Sequence, residues 1–212
     1  MKILFIKEQR SPSGFEGVGI YLLNVCIELN KLSVPYLLLY NKKDELYKEM
    51  INNAVNVRII DLPPGSSKNI ISRRSRLKKT RSLVSEIVLK ENITHINVHF
   101  PHLLNYIGSE INIPVTAHWH GAFVDNTHLK YFYLKDIFNF REIINNLYRK
   151  TVVFNFKRAD FIVCSSNASK NTAIGRFGVP KAKVSINRYG IPEPNSGPYL
   201  NIRKKLGFSA ND

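Results

Sequence analysis

Lys2-Ile3-Leu4-Phe5-Ile6-Lys7, followed by Gly14-Phe15-Glu16-Gly17-Val18-Gly19 and an apolar-periodic stretch from Val18 to Lys31, is the run that decides the fold. A short, continuous apolar segment bounded by lysines reads as a strand covered on both faces. The glycine-rich loop opens directly into a helix, whose first turn offers unpaired N–H groups and the positive end of a dipole. The spacing is not the G-x-G-x-x-G dinucleotide fingerprint, and no clear acidic residue follows the second strand to hold a ribose. The glycines therefore suit contact with a phosphate or diphosphate, with a turn chosen only for tightness as the other reading.

Outward from this unit the alternation continues. Strands are predicted over Val34–Tyr40, Val55–Ile60, Thr94–His99, Ile113–Ala117, Phe161–Cys164 and Lys183–Ile186. Helices are predicted over Val18–Lys31, Glu45–Asn52 and Ser72–Lys90, after Pro101, within 129–157, and over Ala168–Phe177. The pattern predicts an α/β domain over residues 1–190: a Rossmann-like parallel sheet with helices on both faces. Ligands of such sheets bind beyond the carboxyl ends of the strands, which singles out loops 8–19, 99–103, 118–127 and 165–168. From Gly190 the chain reads Ile-Pro-Glu-Pro-Asn-Ser-Gly-Pro, a linker pattern, so 191–212 is expected to be an interdomain linker and the start of a second domain.

Of the 212 residues 44% are hydrophobic and 22% charged, enough apolar content to exclude disorder as the main state. Apolar runs such as Val34–Tyr40 fall far short of the roughly 20 residues a spanning helix needs. The apolar start is too short for a signal peptide. Cys26 and Cys164 each sit in an apolar-periodic segment and read as buried thiols in a reducing compartment, so a cytoplasmic location is expected.

The formal net charge is +15 and is concentrated in two places. Residues 61–82 hold seven basic residues (Lys68, Arg73, Arg74, Arg76, Lys78, Lys79 and Arg81) against one acidic, and residues 161–212 hold eight against two. Such a field suits a polyanion or an anionic membrane surface, and a solvated helix face is the plainer reading. On a helix over 73–88, Leu77, Val84 and Val88 share one face and the basic residues fill the remainder.

All six histidines lie between 95 and 128. His118-Trp119-His120 can set two imidazoles on one side of an extended chain, but further metal ligands at later strand ends are not evident, so no metal site is read. His118 and His120 stand as polar contacts in a substrate cleft, or as ordinary core and loop histidines. No G-x-S-x-G elbow is present, and paired carboxylates are absent from the predicted strand ends, apart from Glu8 and Asp125. The stretch 123–156 carries nine of the 23 aromatic residues, with basic residues between them. A helical core face explains many, yet Tyr131-Phe132-Tyr133 cannot all face one core, and exposed aromatics there suit a sugar or a membrane interface.

In the right order, five segments resemble the N-terminal half of a GT-B glycosyltransferase of the retaining family 4 group. They are Gly17-Val18-Gly19-Ile20-Tyr21-Leu22-Leu23-Asn24; Thr94 to Pro101; Ile113-Pro114-Val115-Thr116-Ala117-His118-Trp119-His120-Gly121; Arg158 to Ser166; and Phe177 to Val184. The resemblance implies transfer of a sugar from a nucleotide-sugar donor to a glycan or lipid-linked acceptor, as in cell-surface polysaccharide or lipopolysaccharide synthesis. It implies His120 as the catalytic residue beside the transferred sugar. Gly17, Gly19, His118, Gly121 and Ser166 would contact substrate. Arg73, Arg74, Lys78, Lys79, Tyr131 and Tyr133 would lie on the acceptor or membrane side. No cofactor is expected on this chain, the nucleotide sugar belonging to the whole protein, and association with the inner face of a membrane is allowed for. Where the family reads Pro-Asn-Gly, this chain reads Arg188-Tyr189-Gly190. With the second domain missing, the chain alone is expected to lack transferase activity. The competing expectation is a non-enzymatic basic module that binds nucleic acid or anionic membrane through 68–81.

Overall fold

The computed structural model describes residues 1–8, 17–62, 70–120, 158–175 and 178–188, the side chains of 70–74 and of Pro101 excepted. Within them seven parallel strands form one sheet in the order β3-β2-β1-β4-β5-β6-β7. The strands are β1 (Ile3–Lys7), β2 (Tyr36–Tyr40), β3 (Val57–Ile59), β4 (His95–Val98), β5 (Val115–Trp119), β6 (Phe161–Cys164) and β7 (Val184–Ile186). Helices α1 (Gly17–Lys31), α2 (Glu45–Asn52), α3 (Ile70–Lys90) and α4 (Asn167–Gly175) connect them, with a 3-10 turn over Pro101–Tyr106. The predicted parallel α/β sheet is thus the one observed. The predicted helix over 129–157 and the linker beyond 190 lie outside the described residues.

The two sheet faces carry separate cores. Leu4 and Ile6 of β1 pack with Val84, Ile87 and Val88 of α3, and with Ile96, Val98, Val115, Ala117 and Trp119. Phe5 turns the other way, onto Leu22, Leu23 and Cys26 of α1 and onto Leu46 and Met50 of α2. Each fully buried aliphatic or aromatic side chain of this kind contributes about 1.5–3 kcal/mol. Leu77, Val84 and Val88 do share the core-facing side of α3, as their spacing predicts. Cys26 and Cys164 are both buried free thiols.

Three helices end in one motif. Ser33, Ala54 and Asn92 adopt φ of 54°, 54° and 51°. The next residues, Val34, Val55 and Ile93, donate back to the carbonyls of Leu29, Met50 and Val88 at 2.9, 2.9 and 3.0 Å. This is the Schellman closure, built without glycine. It also corrects the predicted start of β2: the N–H of Val34 belongs to the end of α1, and the strand begins only at Tyr36.

The fifth strand is corrected as well. It spans Val115–Trp119 rather than Ile113–Ala117, because Val115 N–H is held by the Asp160 carboxylate at 2.9 Å and pairing with β6 continues to Trp119. His118 is therefore a strand residue and not part of a loop.

Candidate functional site

Strand order reverses where β1 lies between β2 and β4, which is where an open α/β sheet leaves a crevice at its carboxyl edge. The residues that reach this edge are Lys7, the last of β1, and Glu8 after it, His99 and Phe100 after β4, and His118 and His120 at the end of β5. From above, Tyr21 in the second turn of α1 packs its ring against three imidazoles, with centres 5.7, 6.3 and 6.5 Å from His99, His118 and His120.

The three imidazoles form a stack. His99 and His118 are 4.6 Å apart with planes at 14°, and His99 and His120 are 5.6 Å apart at 16°. His118 and His120 lie 6.1 Å apart at 20°, on one side of the strand as their alternation predicts. Phe100 closes the outer side, edge-on to His120 at 5.5 Å. Beneath the stack, Nδ2 of Asn97 donates to Nε2 of His118 at 3.1 Å, and His95 Nε2 bonds Thr116 Oγ1 at 3.0 Å. Among the described residues, neither ring nitrogen of His99 nor Oδ1 of Asn97 has a hydrogen-bond partner.

Burial keeps these rings uncharged. His99 is held well below the usual imidazole range, first by burial and then by His118, His120 and the Lys7 amine. Burial pushes His118 down to about 4. His120 is pushed down to about 3 by burial, reinforced by His118 and Lys7, with the main chain of His99 pulling the other way. Desolvation disfavours an imidazolium more than an imidazole, so all three rings are neutral near pH 7. They can exchange hydrogen bonds with uncharged hydroxyls without adding charge.

Beside the stack stands a pair that sequence reading registered only as a lone carboxylate. Glu8 Oε2 meets His102 Nε2 at 2.7 Å, and their side chains are 5% and 11% exposed. Lys7 is buried entirely, its Nζ donating to the Glu8 carbonyl at 2.8 Å and facing the Phe100 ring at 5.9 Å. Tyr21, Lys7, Asn97 and His99 were not singled out from sequence. The one available signal was a Lys-Glu pair directly after an apolar strand at the switch point.

The remaining expected site residues fall as follows. Gly17 opens α1, and among the described residues a Cβ there would meet nothing within 4 Å; Gly19 is buried in the same first turn. Ser166 lies just past β6 at the same edge, where its Oγ accepts from the Ser169 N–H at 3.1 Å and caps the start of α4. Gly121, Tyr131 and Tyr133 lie outside the described residues. Arg73 and Arg74 belong to α3 by backbone alone, with side chains outside the description. Lys78 and Lys79 are exposed, whereas Arg76 pairs with Asp61 at 2.8 Å and Arg81 donates to the Asn105 carbonyl at 2.7 Å. Part of the basic cluster is thus structural. Among the described residues no group of three or more His, Cys, Asp or Glu is arranged to hold a metal ion, and no helix is long and apolar enough to cross a membrane.

Residues 15–193 match the family model for Glycosyltransferase Family 4. No curated protein matches the chain. Among solved structures, HepE of Anabaena in complex with UDP and glucose is 17% identical, with a TM-score of 0.61 over 98% of this chain and 50% of its own. A glycosyltransferase from Rickettsia africae is 15% identical, with a TM-score of 0.62 over 99% and 50%. The lipopolysaccharide outer core galactosyltransferase WaaB is 16% identical, with a TM-score of 0.58 over 87% and 44%. The chain spans about half the length of these structures.

Proposed function

The chain belongs to glycosyltransferase family 4, and from that membership we propose that it forms the acceptor-side half of a sugar transferase using a nucleotide-sugar donor. The observation that carries this reading is the neutral imidazole of His120 at the switch point, on the same carboxyl edge as the glycine-bordered start of α1. Glycans and lipid-linked sugars fit as acceptors, since their hydroxyls need uncharged hydrogen-bonding partners. The UDP and glucose bound by HepE, and the lipopolysaccharide sugar added by WaaB, favour a UDP-hexose donor and a cell-surface glycan product.

In this proposal Gly17 and Gly19 let the backbone approach the donor phosphates, and the positive end of α1 faces them. His120 contacts the transferred sugar. As the bond to the leaving phosphate breaks, positive charge develops at the anomeric carbon, and a neutral ring polarised toward it stabilises that charge without repulsion. His118, Gly121 and Ser166 line the same edge. Lys78 and Lys79, with Arg73 and Arg74, are the basic groups assigned to an anionic acceptor or membrane surface, and Tyr131 and Tyr133 to its apolar part. Catalysis requires the second domain, so the 212-residue chain alone is inactive in this reading.

The test is turnover of UDP-hexose donors by a protein that carries both halves, comparing native with His120→Ala. A drop of about 100-fold or more, with the amide spectrum unchanged, is expected for a lost transition-state contact. Unchanged turnover overturns the role of His120.

A further inference from the structure

We infer that the basic residues at the carboxyl edge of the sheet form a docking surface for an anionic lipid bilayer, with Lys42, Lys43, Lys78 and Lys79 as its described side chains. Their place follows from the topology. Helices that connect parallel strands run back against them, so α3 starts beyond the carboxyl end of β3. Two contacts fix its level: Arg76 pairs with Asp61 at 2.8 Å, and Thr80 Oγ1 donates to the Asp61 carbonyl at 3.3 Å. Asp61 lies just past β3, so Lys78 and Lys79, between these two anchors, stand at that edge. Arg73 and Arg74 precede them in the same helix. Lys42 and Lys43 lie in the turn from β2 into α2, at the same edge.

The two edges of the sheet treat their cations differently. At the amino edge, Lys2 and Arg58 share Glu91 at 2.7 and 2.6 Å. Lys31 pairs with Glu28 and Lys90 with Glu86, each at 2.7 Å. At the carboxyl edge, Lys42, Lys43, Lys78 and Lys79 are exposed, and none has an ionic partner among the described residues. No acidic residue stands in the first turn of α3 to offset Arg73 and Arg74 or the positive end of the helix dipole. Uncompensated like charges gathered at one end repel one another, and an anionic surface brought against them relieves that repulsion.

The breadth of the charge favours a bilayer. Helix α2 packs with α1 on one face of the sheet and α3 on the other, so the cations come from both sides of one sheet end. A plane of headgroups can meet all of them at once, each cation near the surface adding its own attraction. Single-stranded nucleic acid would call for aromatic side chains to stack its bases, and neither α3 nor the turn over 41–44 holds one. Resting on the transferase reading, this docking presents the switch-point site toward the headgroups and names its acceptor as a lipid-borne glycan.

The test is flotation of the chain with phosphatidylcholine vesicles that contain either no phosphatidylglycerol or about 30% of it, at about 0.1 M salt. Binding to the anionic vesicles alone is expected, with release at about 0.5 M salt. Lys78→Gln with Lys79→Gln should weaken partitioning by about 25-fold, about five-fold per cation. Lys31→Gln with Lys90→Gln removes the same charge from the amino edge and should leave partitioning within about two-fold of native. All four lysines are exposed, and amide circular dichroism verifies that both variants fold. Equal losses in the two variants, or binding to the neutral vesicles, overturns the proposal. Tighter binding to polyuridine than to the anionic vesicles assigns the surface to nucleic acid and also overturns it. Vesicle binding as expected, with full turnover in His120→Ala, would instead sink the role of His120 in transfer and leave the docking surface standing. Absent vesicle binding beside normal turnover of a soluble acceptor would sink the docking alone.

Discussion

The ring of His99 lies 4.6 Å from that of His118, with planes 14° from parallel, although one follows β4 and the other belongs to β5. Two imidazolium ions at that spacing would repel by about 4 kcal/mol at an effective dielectric near 20. Stacked neutral rings carry no such penalty. The pair, and His120 beside it, therefore ties the packing of this edge to a protonation state.

That tie makes stability depend on acidity. The folded-state pKa values of His99, His118 and His120 are all depressed, to about 4 for His118 and about 3 for His120. The unfolded chain takes up these protons first, near pH 6.5. The stabilisation is complete above that value and declines as pH falls toward the folded pKa values, with a slope of about 1.4 kcal/mol per pH unit for each ring. Urea midpoints measured between pH 7 and pH 4.5 should fall steadily, and His118→Phe should flatten the trend. A midpoint constant across that range would contradict the neutral stack.

The Glu8–His102 pair invites a double-mutant cycle. At 2.7 Å and nearly buried, the contact couples the two groups, so the cost of removing one depends on whether the other is present. Glu8→Ala alone is expected to cost about 3 kcal/mol, and His102→Ala little more on top of it. Additive losses in urea unfolding would mean that the two groups act independently.

Ala54 offers the opposite sign. It holds φ of 54° at the end of α2, a left-handed conformation that costs an L-residue about 1 kcal/mol. Ala54→Gly should raise stability by a few tenths to about 1 kcal/mol, the gain reduced by the extra freedom of glycine in the unfolded chain. Thermal melts of the two proteins would show it, and a lower Tm would count against strain at this cap.

What the sequence makes legible is local. Helix α2 falls on its predicted bounds because Asp44 caps it, accepting from the Tyr47 N–H at 3.0 Å, a signal written within three residues. Strand order and the parallel sheet follow from apolar runs alternating with helices. His118 and His120 were visible through their spacing. Tyr21 was not, because on α1 it is one more aromatic among Ile20 and Leu22, and only the crossing of α1 over β4 and β5 gives it a role. Asn97 was hidden inside a strand taken as continuously apolar. Lys7 is invisible for a different reason: a lysine at a strand end normally reaches water, and here it is completely buried with its amine on the Glu8 carbonyl and facing the ring of Phe100, which follows β4 far along the chain.

Strands β4 and β5 are two-faced. Ile96, Val98, Val115, Ala117 and Trp119 face the α3 core, while His95, Asn97, Thr116 and His118 alternate with them toward the α1 side. Sliding β5 by one residue along β4 would drive Thr116 and His118 into the apolar core and turn Val115, Ala117 and Trp119 out toward Tyr21. Misaligned pairings are thereby penalised by the same polar side chains that build the carboxyl edge. Replacing those histidines by apolar residues removes that penalty, so during folding the imidazoles also act as alignment marks for the central strands.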